Sequence, residues 1–115
     1  MGEKKPIVLE SCLGKAQEMR GLVDYSDEAI VSKTIVDKDA GTITLFAFDQ
    51  GQNLSEHTTP YDAVVEVLDG VGTIVIAGER KKVSAGELII MPANVPHAVE
   101  AAERFKMLLV MIRSQ

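Results

Sequence analysis

The sequence predicts an all-β domain, an antiparallel sandwich or barrel, and three observations carry that prediction. From Ile30 onward, short runs of apolar and β-branched residues alternate with polar ones, the two-residue period of a strand. Glycine, proline, asparagine and aspartate interrupt these runs at short intervals, as turns do in antiparallel sheets. No long helical pattern intervenes between them.

The elements follow in order. Residues 1–29 read as an N-terminal arm and residues 30–115 as the barrel, one domain overall. In the arm, Pro6-Ile7-Val8-Leu9 is a short edge strand. Residues 11–20 mix helix formers with Gly14, and Leu13, Ala16, Gln17 and Met19 make only a weak helical face, so a short helix or irregular segment is expected. Tyr25-Ser26-Asp27-Glu28 is a turn. Residues 30–36 are rich in β-branched side chains and form the first long strand. Asp37-Lys38-Asp39-Ala40-Gly41 turns the chain, with Gly41 available for φ > 0, and residues 42–48 return as the partner strand. Phe46 and Phe48 share one face, a core face. After the break at Asp49-Gln50-Gly51, residues 53–57 form the next strand. Pro60 cannot donate a ladder hydrogen bond and places a loop at the end of the barrel.

Residues 63–68 are again a strand, and Asp69-Gly70 is a turn pair. Residues 73–77 and 81–83 make a hairpin around Gly78. Leu88-Ile89-Ile90-Met91 is apolar on both faces, the pattern of a strand covered on both sides. Residues 92–96 turn, and Asn94 tolerates the left-handed conformation there. A strand over 97–101, a turn at Glu103-Arg104 and a strand over 105–112 complete the domain.

The chain has two histidines, His57 and His97. Each ends a similar segment that starts at a glycine, Gly51 or Gly86, and a barrel can bring both to one inner wall. In these segments the chain resembles the cupin superfamily, in its small single-domain form (the cupin 2 type conserved barrel). The first cupin motif is Gly, five residues, His-x-His, three or four residues, Glu, six residues, Gly; Gly51, His57 and Gly70 match it. The second is Gly, five residues, Pro-x-Gly, two residues, His, three residues, Asn; Gly86, Pro92 and His97 match. Four positions depart. Thr59 stands for the second His, Ala63 for the Glu, Asn94 for the Gly and Ala101 for the Asn. The resemblance covers about residues 30–112 and implies a double-stranded β-helix jelly-roll barrel.

It also implies a site. In metal-dependent cupins three His and one Glu hold Fe, Mn, Ni, Cu or Zn inside the barrel. Here the matching positions give His57 and His97 as metal ligands in an incomplete set, and His57, Thr59, Tyr61, Ala63 and His97 as ligand-binding residues. Thr59 offers a neutral hydroxyl and Ala63 nothing, so a divalent transition metal (Zn, Fe, Mn or Ni) is expected to be held weakly. If His57 and Thr59 point inward, the strand period sends Ala63, Val65 and Val67 inward too and leaves Glu66 outside. Asp62 and Glu56 fall out of phase with the site. The pocket is then less polar and roomier than one with the carboxylate. No catalytic residue is assigned, because neither a positioned carboxylate nor a nucleophile accompanies the histidines. Cys12 reads as a structural thiol, and Met91, Met107 and Met111 as core filling.

Composition bounds the rest. With 115 residues, 46% apolar and 25% charged, the chain is a globular domain rather than a disordered one. A net charge of −5 and no basic run beyond Arg80-Lys81-Lys82 argue against a nucleic-acid partner. No apolar run is long enough for a bilayer. The start MGEKKPIVLE has no secretory h-region, and Pro6 breaks a myristoylation pattern. The single cysteine suits a reducing compartment, and a cytoplasmic location is expected.

Three functions stay open: a barrel binding a small molecule, with or without a weakly held metal; a metal-dependent enzyme of dioxygenase, isomerase or decarboxylase class acting on a small polar metabolite; and an interaction module with a vestigial pocket. A homodimer is expected. The last strand is apolar on nearly both faces, so one face fills the barrel and the other needs a partner copy or the arm as cover.

Overall fold

Strands make up nearly all the regular structure of the computed structural model, which describes residues 6–113. The first five residues, which carry the beginning of the segment read for leader and lipidation signals, lie outside the described residues, as do 114 and 115. The strands are β1 (Ile7–Val8), β2 (Ile30–Lys38), β3 (Gly41–Phe48), β4 (Asn53–His57), β5 (Asp62–Ile76), β6 (Glu79–Ser84), β7 (Leu88–Met91), β8 (His97–Glu100) and β9 (Phe105–Ile112). All pairings are antiparallel. One sheet runs β1-β2-β3-β9-β5-β7 and the other β6-β5-β8-β4. The all-β barrel expected from the sequence is the fold observed.

β5 joins the two sheets. Its first half lies between β9 and β7, and its second half between β6 and β8. The corner is a register shift between Val67 and Asp69, followed by Gly70 at φ 74°. Asp69-Gly70, expected to end a strand, instead bends one continuous strand of 15 residues. A bulge adds twist and a glycine absorbs the left-handed residue, so the ladder turns without ending. The hairpin expected around Gly78 is present, with Ala77 at φ 51° and Gly78 at φ 82°, the paired positive φ of a two-residue type I′ loop.

Two further expectations change. Gly41 lies within β3 and is not among the positive-φ glycines; a Cβ there would strike the Met111 carbonyl oxygen, so close approach of β9 explains the glycine. β7 is not covered on both sides. Ile89 and Met91 face the core, but Leu88 is 63% exposed and Ile90 54%, because among the described residues nothing covers the outer face of this edge strand.

The inner faces of both sheets fill the barrel with Phe48, Phe105, Ile74, Met107, Val65 and Val67, all fully buried. Phe48 and Phe105 stack at 4.7 Å between centroids, 3° from parallel. As expected, Ala63, Val65 and Val67 point inward, Glu66 is only partly covered on the opposite face, and Phe46 packs beside Phe48.

The arm is irregular, with 3-10 turns at Glu10–Cys12 and Met19–Leu22 in place of an α-helix. It crosses the outer face of the first sheet, where Val23, Leu45 and Ala47 form a second, smaller buried cluster. Polar contacts fasten it. The Leu9 amide donates to the Ile35 carbonyl (2.8 Å), and Lys106 Nζ to the Arg20 carbonyl (2.6 Å). Tyr25 Oη donates to Asp69 Oδ2 (2.6 Å), with Arg104 and Lys106 over its ring at 5.2 and 5.0 Å. Burial, then the Asp69 bond and charge, push the Tyr25 phenol pKa well above its usual value. Among the described residues no helix is long and apolar enough to cross a membrane.

Candidate functional site

One end of the barrel is closed by two loops, residues 58–61 between β4 and β5 and residues 92–96 between β7 and β8. They are tied together. The Asn94 amide donates to the Thr59 carbonyl (2.7 Å), and the Ala93 amide to Asp62 Oδ1 (2.8 Å). Asn94 sits at φ 65°, the left-handed position that glycine holds in the motif and that asparagine tolerates. Asp62, out of phase with the site, thus supports the loop.

His97 opens β8 and alternates inward with Val99 and Ala101. His57 closes β4 directly opposite it. Leu54 also packs inward, and a plain strand would send a residue three places later to the other face. Between Leu54 and His57 the register with β8 shifts by one, and this bulge re-aims His57 to the side of Leu54. The imidazoles meet with Nε2 to Nε2 at 3.1 Å and ring centroids 4.3 Å apart. His97 is buried, whereas His57 is exposed.

The proton count at this pair is informative. His57 Nδ1 lies 3.1 Å from the Ser55 carbonyl oxygen, and His97 Nδ1 lies 3.3 Å from that of Val95. A carbonyl only accepts, so each contact asks for an N–H at Nδ1. With both protons placed there, the two Nε2 lone pairs face each other. Two neutral rings carry two N–H protons for three contacts, and a third proton or another cation is needed to satisfy all of them. On His97 a third proton is disfavoured: desolvation first, then the neighbouring His57, lower its pKa, opposed by the Val95 carbonyl.

The other expected site residues do not join the pair as donors. Thr59 Oγ1 donates to the Tyr61 carbonyl (3.1 Å) and lies 3.4 Å from the Tyr61 amide, so a local turn occupies the hydroxyl. Tyr61 is half-buried in that loop. Ala63 is 1% exposed and belongs to the core. Cys12 lies in the arm as a free, partly covered thiol.

A family model described as Cupin domain matches residues 44–112. The chain belongs to the cupin family. Among solved structures, a conserved protein of unknown function from Streptococcus pyogenes is 37% identical with a TM-score of 0.84, over 88% of this chain and 89% of that one. A cupin 2 conserved barrel domain protein from Leptotrichia buccalis is 42% identical with a TM-score of 0.79, over 82% of this cupin but only 46% of that chain. A salicylate 1,2-dioxygenase from Pseudoaminobacter salicylatoxidans, at 18% identity, TM-score 0.67 and coverage of 72% and 25%, shares the fold. No curated protein matches the sequence.

The family's metal site can be tested on this cupin's own donors. Two Nε2 atoms 3.1 Å apart suit neighbouring ligands of one ion with bonds near 2.0–2.1 Å, and an Nδ1 held by a carbonyl is the usual support for a ligating imidazole. Beyond these two nitrogens the fit ends. Among the described residues no group of three or more His, Cys, Asp or Glu is placed to hold a metal. The residues fit half a coordination shell and do not fit the four-ligand centre.

Sequence reasoning missed the bulge in β4 and the Tyr25–Asp69–Lys106 network. The first left no signal but the odd spacing of Leu54 and His57. The second joins residues 44 positions apart.

Proposed function

We propose that this cupin binds a small molecule at the mouth of its barrel, with His57 and His97 as the polar anchors. The facing Nε2 atoms at 3.1 Å, with each Nδ1 turned to a backbone carbonyl, carry the reading. A ligand that brings an O–H or N–H to the pair supplies the missing proton. A divalent transition metal satisfies the same need, with His57 and His97 as its protein ligands and its other positions left to water or to the bound molecule.

Such a metal is held weakly. Four-ligand structural zinc sites are worth roughly 10–16 kcal/mol, and half of that, about 5–8 kcal/mol, corresponds to a Kd on the order of micromolar to 0.2 millimolar. Restoring the family pattern with Thr59→His and Ala63→Glu should tighten divalent-metal binding in calorimetry by at least about 100-fold, about 2.7 kcal/mol. Equal affinity in variant and wild type would show that these positions do not share a cavity with the histidines. Enzymatic relatives share the fold alone with this chain, and no reaction is assigned to it.

Self-association belongs to the same proposal. Ile90, Val64 and Val110 stand in register across three neighbouring strands on the outer face of the first sheet. The arm covers Leu45 and Ala47 of that face but leaves Ile90, Leu88 and Ile112 more than half exposed. An apolar row of this kind is what a second copy covers in a homodimer.

A further inference from the structure

The arm is tied to the first sheet at two ends, through Leu9 on Ile35 at the β2 edge and through Arg20 on Lys106. Between them lies a cleft of about 270 Å³. Its floor is Ile35, Ile43, Leu45 and Leu108 from three strands, and its arm side is Met19 and Leu22. Leu45 is 1% exposed, so the floor is part of the packed sheet. The polar residues lining it are Cys12, Lys15 and Gln17.

Their chemistry has one sign. None of the lining residues is acidic, although the chain carries 17 acidic residues and a net charge of −5. Lys106 and Arg20, the neighbouring cations, are engaged with the Arg20 carbonyl and Glu18. Among the described residues Lys15 has no carboxylate partner. Gln17 Nε2 donates one hydrogen to the Ser11 carbonyl (2.6 Å), which orients the amide and leaves its second N–H available. An apolar cleft with a few donors and one unbalanced cation is the form of a site for an amphipathic anion.

We propose that this cleft is a second binding site, for a monocarboxylic acid whose apolar body is one ring or a short chain. Lys15 and Gln17 take the carboxylate, and the Leu45–Leu108 floor takes the body. The volume is near the lower end of the roughly 300–1,000 Å³ of ligand clefts, which favours such a body over a cofactor. The site lies on the outside of the barrel, apart from the histidine pair on the inner face of the other sheet.

Cys12 is the chain's sole cysteine, so its alkylation rate in the full-length protein reports occupancy of the cleft. With 4-phenylbutyrate as probe and its neutral amide as control, the acid should slow alkylation at least about fivefold at saturation and reach half-protection at least about fivefold lower concentration than the amide. Lys15→Gln, a change at an exposed residue, should bring the acid to the amide's value. His57→Ala should leave the protection intact. No protection by the acid, equal protection by acid and amide, or loss of protection in His57→Ala would each overturn the assignment. So would a probe-free rate that falls as protein concentration rises, since a second copy would then fill the cleft.

Discussion

Tyr25→Phe removes one oxygen and with it the bond that ties the arm to the corner of β5. The phenol donates to a carboxylate at 2.6 Å, and hydrogen bonds to charged groups are worth about 1.5–3 kcal/mol. Tyr25 is half-buried, so the lower end applies, about 1.5–2 kcal/mol. The ring stays, and with it the packing on the Val23, Leu45 and Ala47 cluster and the approach of Lys106. Unfolding entropy near 2.1 cal/mol/K per residue gives about 0.24 kcal/mol/K for 115 residues. The variant should therefore melt about 6–8 °C below wild type in circular dichroism at neutral pH.

The pH dependence tests the same bond independently. The folded phenol's pKa is raised, by burial first and then by Asp69. Below pH 10, the usual tyrosine value, both states keep the proton and the contribution is fully present. Above it the unfolded chain ionises while the folded chain holds its proton, so stability falls as pH rises toward the folded pKa. In a Tyr61→Phe background, tyrosinate absorbance should be absent from the folded protein at pH 10–11, and Tyr25→Phe should flatten the alkaline loss of stability. A variant melting within about 2 °C of wild type, with ordinary tyrosinate formation, would refute the arm's anchoring as described.

Two further outcomes follow from packing. Gly72→Ala places a Cβ against the ring of Phe105, with Cδ2 and Cζ at 2.8 Å, and Phe48 stacked at 4.7 Å leaves that ring no retreat; urea unfolding should show a loss of about 1–3 kcal/mol, and an unchanged midpoint would contradict it. Ile90→Lys places a charge in the outer apolar row, so the wild type should sediment as a dimer at micromolar concentration and the variant as a monomer. A monomeric wild type would dismiss the dimer.

The strands were legible because β-branched alternation and glycine-asparagine punctuation are local signals, and the turn at Asn94 needed only its own backbone preference. Gly70 was visible as a left-handed residue, but whether it ends β5 or bends it depends on Phe105 and Arg104, distant in sequence. The outward exposure of Leu88 and Ile90 likewise depends on what lies beyond an edge strand. The meeting of the two histidines was legible through the motif spacing. Their proton deficit was not, since it rests on carbonyls whose direction the bulge and the 92–96 turn set. The bond from the Thr59 hydroxyl to the Tyr61 carbonyl was not legible either, since the local turn sets it.

The central claim is that His57 and His97 form one cation-seeking pair. Histidine-ring nitrogen NMR of tag-free protein, followed through a zinc titration, measures it directly. The account predicts that both Nε2 resonances move together to one-to-one saturation, both Nδ1 remaining protonated, with a Kd on the order of micromolar or weaker. A shift of one ring alone, no shift at millimolar zinc, or nanomolar affinity would contradict it.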